Sequence, residues 1–162
     1  LTIGSAGVAV LLSDEGLCPE GPRILGGVTM THSNANHLCQ GEGDIHSLMM
    51  KTDSEELLKA GIQLAQETWE ETKKELNWSN DMIDWVIGHQ VGQAHEEGIL
   101  KGLGLFEKKT FKTYENFGNT GSAALPLTLS LLKDSKKVKP NDKMTLLGIG
   151  SGLSCLMLGV QW

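Results

Sequence analysis

Two apolar runs near the C-terminus, Met144 to Ile149 and Leu153 to Val160, are separated only by Gly150-Ser151-Gly152. A glycine-bounded turn of that length leaves no room for a crossover helix, so the two runs must lie side by side as antiparallel strands. Other apolar segments are separated by helical spacing, which instead favours parallel pairing through a covering helix. The chain is therefore expected to be α/β, with a mixed sheet covered by helices.

Upstream, Ile3 to Leu12 reads as a buried strand that ends at the turn-like Ser13-Asp14-Glu15-Gly16, and Ile24 to Thr31 as a second strand. Ser33 to Asp44 is polar and irregular, a loop by composition. Asp53 to Leu76 carries Leu58, Ile62, Ala65 and Trp69 at three- and four-residue spacing, which predicts a helix that Asp53 or Ser54 can cap. Asp84 to Gly88 is a short strand, Gln93 to Leu103 a helix, and part of Lys109 to Tyr114 a further strand. A helix from about Ser122 to Leu132 accommodates Pro126 near its first turn, where amides lack intrahelical partners. Lys133 to Lys143 reads as a solvated turn.

Composition excludes several classes. The 162 residues carry a net charge of -6, against nucleic acid, whose binding depends on neutralising phosphates. No apolar stretch approaches the ~20 residues of a membrane span. Three cysteines (Cys18, Cys39, Cys155) without regular spacing fit a reducing, cytoplasmic setting. No signal peptide is read, and the chain opens on Leu1 inside an apolar run, as a piece cut from a longer protein would.

The chemistry-bearing residues are His89, which follows Trp85-Val86-Ile87-Gly88 and precedes Gln90, and Asn119, within Gly118-Asn119-Thr120-Gly121-Ser122-Ala123. Each places one polar side chain where a strand or glycine-lined segment hands over to a helix, the end of an α/β sheet where sites gather. Alone, His89 reads as a core histidine and Asn119 as a turn asparagine. Together they offer two neutral N–H donors to one developing oxyanion. None of the cysteines lies in a nucleophile turn. Gly148-Ile149-Gly150-Ser151-Gly152 is not a dinucleotide fingerprint, because a strand follows it rather than a helix. His32, His37, Cys39 and His46 lack a closely paired ligand unit, so no metal is assigned, and no cofactor is implied. No Gly-x-Ser-x-Gly elbow supports a serine hydrolase.

Trp85-Val86-Ile87-Gly88-His89-Gln90, Gly118 to Pro126 and Leu147 to Leu153 together resemble the C-terminal half of the thiolase-like β-ketoacyl synthase III enzymes. The resemblance runs from Gly4-Ser5-Ala6-Gly7 to Trp162. His89-Gln90-Val91-Gly92 with His95, and Gly148 to Gly152 leading into Cys155-Leu156-Met157-Leu158-Gly159, resemble the branch that condenses two long-chain acyl-CoAs toward olefins.

The resemblance implies one half of an αβαβα fold with a five-stranded type of mixed sheet. Residues 1–16 would be the last strand of an N-terminal half, and 17–162 the C-terminal domain. It implies that His89 and Asn119 hold the enolate oxygen of the second thioester, and that the backbone near Ser151 completes a second oxyanion hole. Gln90, Ile149, Gly150 and Gly152 would neighbour the substrate tunnel. The nucleophilic cysteine would lie in the N-terminal half and the α-proton base in that half of a partner subunit, so a homodimer is expected. The substrates would be acyl-CoA or acyl carrier protein thioesters, and this chain alone would be inactive. Glu96 and Glu97, with Lys101 as the nearby cation, lean toward CoA over an acidic carrier protein. The alternative is a non-catalytic scaffold or tunnel-forming partner subunit.

Overall fold

The computed structural model describes residues 3–43, 47, 49–150 and 152–162. In chain order the strands and α-helices are β1 (Arg23–Thr31), β2 (Cys39–Glu42), β3 (Met49–Thr52), α1 (Ser54–Leu76), β4 (Trp85–Gly88), α2 (Gln93–Gly102), α3 (Tyr114–Phe117), α4 (Ala124–Asp134), β5 (Lys143–Gly150) and β6 (Ser154–Gln161). The main sheet has the order β1-β6-β5-β4. β5 and β6 pair antiparallel, with Gly150 opposite Ser154, and β6 pairs antiparallel with β1. β4 and β5 are parallel, with Gly88 opposite Leu147, so the sheet is mixed as expected.

Alternate strand residues feed two cores, as the period of two requires. On one face Val86, Leu147, Cys155 and Met157 pack with Leu64, Ala65 and Trp69 of α1 and with Leu100 of α2. On the other, Trp85, Ile87, Met144, Leu146 and Val160 pack with Leu132, Leu125 and Leu129 of α4. Sheet and helices thus form a layered α/β unit.

Helix α1 starts where Asp53 Oδ1 accepts the Glu56 amide hydrogen (3.2 Å) and stops at Asn77, whose φ of 51° lies in the left-handed region. Beyond it, Trp69 Nε1 donates to Asn80 Oδ1 (2.9 Å), and Asn80 Nδ2 donates to the carbonyls of Leu103 (2.9 Å) and Gly104 (3.1 Å). This one asparagine joins α1, the approach to β4 and the end of α2.

Several elements differ from expectation. Ile3 to Leu12 is not a ladder strand here. Ile3 makes a single parallel bridge to Asn119, and Val10, Leu11 and Leu12 are exposed. An apolar strand needs a neighbouring strand, and among the described residues none lies beside it past Ile3. The polar 33–44 region is not all loop, because a 3₁₀ turn at Ser33–Leu38 runs into β2, which pairs antiparallel with β3 as a small exposed hairpin. The strand expected within Lys109 to Tyr114 shrinks to one bridge from Lys109 to Trp85, at the position a fifth strand would occupy. The reason lies in its hydrogen bonds: Val86 N–H reaches the Lys109 carbonyl (2.9 Å), but the Thr113 amide goes to a side chain, Gln90. The expected 133–143 turn is shorter, since Lys133 and Asp134 end α4 and Lys143 opens β5; most of it is exposed, but Val138 is half-buried against the second core and Asp142 is buried.

Candidate functional site

His89 leaves the C-terminal end of β4, and its amide donates to the Leu147 carbonyl (2.9 Å), continuing the parallel ladder one step past Gly88. The half-buried ring is therefore carried at the end of the sheet toward which β5 also runs. Burial, and secondarily the nearby His95, hold the His89 pKa below the usual histidine range. A neutral imidazole keeps one N–H donor, the state that suits stabilising an oxyanion without transferring a full proton.

Asn119 reaches the same end by another route. β4 and β5 are parallel, so the chain between them must return across the sheet, and α4 is the segment packed on both strands that makes the return. Its N-terminal end, preceded by the 3₁₀ turn Gly121–Ala123 and by Asn119, therefore lies toward the ends of β4 and β5. Asn119 Oδ1 accepts the Gly121 amide hydrogen at 2.9 Å. An N–H can be received only by oxygen, so the amide orientation is fixed and Nδ2 is the end free to donate to an external oxygen. Gly4 lies against this segment, donating its amide to the Asn119 carbonyl (3.0 Å). A Cβ on Gly4 would collide with the Phe117 carbonyl oxygen, so only glycine permits this approach.

Gln90 is buried, unlike its half-buried neighbour His89. Its Nε2 donates to the Gly88 carbonyl (2.9 Å), while its Oε1 accepts from the amides of Thr113 (2.9 Å) and Tyr114 (3.3 Å). Thr113 in turn shares a 2.6 Å hydroxyl contact with Thr128 of α4, whose Oγ1 donates to the Ala124 carbonyl. Sequence reading placed Gln90 near the site but did not show this bridging role. Its partners lie 23 and 24 residues away, and no local pattern marks them. Glu96 of α2, also unassigned from sequence, meets Lys112 Nζ (3.2 Å) and the Tyr114 hydroxyl (3.4 Å), so it adds a second tie to the same segment.

Ile149 and Gly150 end β5, two and three residues past Leu147, whose carbonyl receives the His89 amide. Ile149 packs against the α1 core, and Gly152 has φ of 99°, a conformation that favours glycine in the β5–β6 turn. Ser151, expected to lend its amide to a second oxyanion hole, lies outside the described residues, as does His46. The other residues weighed for metal have separate partners. His32 Nε2 meets Glu67 Oε2 (2.8 Å), His37 Nδ1 meets the Asn34 carbonyl (3.0 Å), and Cys39 Sγ accepts from the Thr52 hydroxyl (3.6 Å). Among the described residues, no three His, Cys, Asp or Glu side chains cluster to hold a metal, and no helix is long and apolar enough to cross a membrane.

Comparison with known proteins gives a consistent picture. Acyl-CoA:acyl-CoA alkyltransferases from Shewanella oneidensis and Xanthomonas campestris are each 38% identical to this chain. They cover all of it, and the chain covers 49% and 47% of their lengths. It thus spans about half the length of these curated relatives. A β-ketoacyl-[acyl-carrier-protein] synthase III from Oceanobacillus iheyensis is 30% identical over 119 residues, covering 74% of this chain and 37% of its own length. The crystal structure of cerulenin-bound OleA from Xanthomonas campestris superposes on 91% of this chain and 42% of its own with a TM-score of 0.83, at 39% identity. The synthase III structure from Xanthomonas oryzae gives the same TM-score at 38% identity over 91% of this chain and 43% of its own. This thiolase-like fold is therefore shared, and residues 74–162 match the C-terminal model of 3-oxoacyl-[acyl-carrier-protein] synthase III. The chain belongs to the 3-oxoacyl-[acyl-carrier-protein] synthase III C-terminal family.

Proposed function

We propose that this chain is the C-terminal portion of an enzyme that joins two acyl thioesters by Claisen condensation, with His89 and Asn119 as the donor pair for the enolate. The observation that carries this reading is the position of a half-buried His89 at the C-terminal end of β4, tied through Gln90 and Thr113 to the segment that bears Asn119. In the reaction, a base removes the α-proton of the second thioester and negative charge moves onto its carbonyl oxygen. One N–H from His89 and one from Asn119 Nδ2 stabilise that oxygen. The enolate carbon then attacks a thioester carbonyl carried on a cysteine of an N-terminal half, and the cysteine thiolate leaves. The nucleophile lies in that half and the base in the N-terminal half of the partner subunit, which makes this chain incapable of turnover alone. The backbone near Ser151 serves the acyl-enzyme carbonyl, and Ile149, Gly150 and Gly152 border the channel that holds the chain of the acyl group. Residues 1–16 extend the N-terminal half, and the working assembly is a homodimer in the cytoplasm.

Acyl-CoA is favoured over carrier protein as the thioester. The relatives named for two acyl-CoA substrates match the whole chain at 38% identity, whereas the synthase III relative matches 74% of it at 30%. Crystal structures of an OleA variant from Xanthomonas campestris carry bound lauric acid and lauroyl-CoA, the substrate class proposed for the full-length protein here. The test uses the full-length protein with two long-chain acyl-CoAs and no malonyl donor. CoA release with formation of a β-ketoacyl thioester, or its ketone breakdown product, is expected. Product only with malonyl-carrier protein would replace the acyl-CoA reading with that of an initiating fatty-acid synthase. Wild-type condensation by both His89→Ala and Asn119→Ala would overturn the donor pair and favour the scaffold alternative.

A further inference from the structure

We propose that Gln90 is a positioning residue that sets the spacing between His89 and Asn119; this rests on those two residues being the enolate donors. Gln90 is 3% exposed, and its hydrogen bonds run in two directions from one amide. The Nε2 end is anchored on Gly88, in the strand that carries His89. The Oε1 end receives two consecutive backbone amides, those of Thr113 and Tyr114, at the start of the short helix α3 that leads to Gly118 and Asn119. The hydroxyl pair of Thr113 and Thr128 fixes the same point to the first turns of α4, downstream of Asn119. The five-residue lead-in to Asn119 and the helix that follows it are thus both held from one buried side chain next to His89. No ladder hydrogen bond fills this role, because the backbone beyond Lys109 has left the sheet. A carboxamide is well matched to it. One group accepts from two amides while donating to a carbonyl, with no charge to desolvate beside a histidine whose pKa burial already lowers.

The test compares Gln90→Met, Gln90→Glu and Gln90→Asn in the full-length protein. Methionine keeps the length and removes both polar ends. Glutamate keeps an acceptor for Thr113 and Tyr114 but loses the donor to Gly88 and brings a carboxyl group whose charge is costly to bury. Asparagine keeps the amide but is one methylene too short to reach from β4 to Thr113. Misplacing a donor by about 1 Å is worth up to ~100-fold, so Gln90→Met should lower kcat for condensation by ~10- to 100-fold. Single-turnover acylation of the nucleophile, followed by mass spectrometry, should stay within about twofold, since it does not use this donor pair. Amide hydrogen exchange at Thr113 and Tyr114 should accelerate in Gln90→Met and return toward wild type in Gln90→Glu, whose carboxyl oxygen still accepts from both amides. If Gln90→Met does not fold, the same contrast is read between Gln90→Asn and Gln90→Glu. Unchanged condensation in the folded variants, an equal fall in acylation and condensation, or no difference in amide exchange between the glutamate variant and the others would each overturn the proposal. His89→Ala and Asn119→Ala run in parallel separate the two readings. If they condense normally, the donor pair fails; if they are impaired while Gln90→Met is not, only the positioning role fails.

Discussion

The side-chain oxygen of Asn119 receives the backbone N–H of Gly121 at 2.9 Å, and this contact gives the two ends of one amide two different roles. The oxygen holds the turn that opens into α4, and the nitrogen is the end that the proposed condensation would use. Turn and donor can therefore be separated by substitution.

Asn119→Asp keeps the oxygen and the turn but exchanges the donor for a second acceptor. Condensation by the full-length enzyme should fall by ~10²-fold or more, the scale for losing one oxyanion donor, with repulsion of the enolate adding to the loss. The melting temperature should stay near wild type, whereas Asn119→Ala should lose both activity and some stability. Thermal unfolding beside steady-state product formation checks the pair. An aspartate variant that condenses normally would show that Nδ2 is not a donor.

His89 supplies a pH signature. Its folded pKa is depressed, chiefly by burial, so the folded state binds the imidazole proton less readily than the unfolded chain, whose value is about 6.5. Between the depressed value and about 6.5 the unfolded state holds more protons, and unfolding free energy rises with pH across that window and is flat above it for this group. His89→Gln should remove that portion of the slope in urea denaturation series. NMR titration of the His89 ring should give a midpoint below about 6.5. A midpoint above neutral pH would mean that the ring is mostly charged there and that the neutral-donor role is wrong.

Trp85 and Asp142, 57 residues apart, make a second long-range contact that positions the same strand: Trp85 Nε1 donates to Asp142 Oδ2 at 2.9 Å in a buried setting. The same oxygen accepts the Lys139 amide (2.9 Å). Asp142→Ala leaves an indole N–H and a backbone N–H without their acceptor and should destabilise the protein by about 2–3 kcal/mol. Asp142→Asn retains an acceptor and should lose less. Equilibrium denaturation measures both, and equal stability of the alanine variant and wild type would contradict the contact.

These two long-range side chains mark where sequence reading stops. Local patterns suffice for the existence of α1, whose Ala65 and Trp69 enter the core as expected while Leu58 and Ile62 are half-buried beside α2 and Leu64 takes the core position, and for the antiparallel β5–β6 pair, whose turn is too short for anything else. They also suffice for His89 at a strand end, because Trp85, Val86 and Ile87 form a continuous buried run in a parallel pair. Gln90 and Asp142 look like ordinary polar residues in the chain, since the atoms that make them structural are 23 and 57 residues away. The hairpin of β2 and β3 escapes detection because Gln40, Lys51 and Thr52 are polar and exposed, so no apolar alternation announces it. Ile3 to Leu12 misleads for the opposite reason. Its apolar run has strand composition, but a strand is defined by its neighbour, and the described residues supply only the single bridge at Asn119.

The cysteines provide the last prediction. Cys155, on β6, is 2% exposed in the core it shares with α1, and burial pushes its thiol pKa up despite an opposing hydrogen bond with Thr68. Only the thiolate attacks a thioester, so Cys155 is the wrong kind of cysteine for the reaction. Cys18 is exposed and Cys39 accepts from Thr52 on the small hairpin, and the described structure brings neither to His89 through a hydrogen bond. The isolated chain incubated with acyl-CoA should therefore release CoA only at the background rate. A thiol reagent at neutral pH should modify Cys18 in the folded chain and reach Cys155 only after denaturation. Catalysed release that disappears on changing Cys18, Cys39 or Cys155 to serine would place the nucleophile within this chain and remove the need for an N-terminal half to supply it.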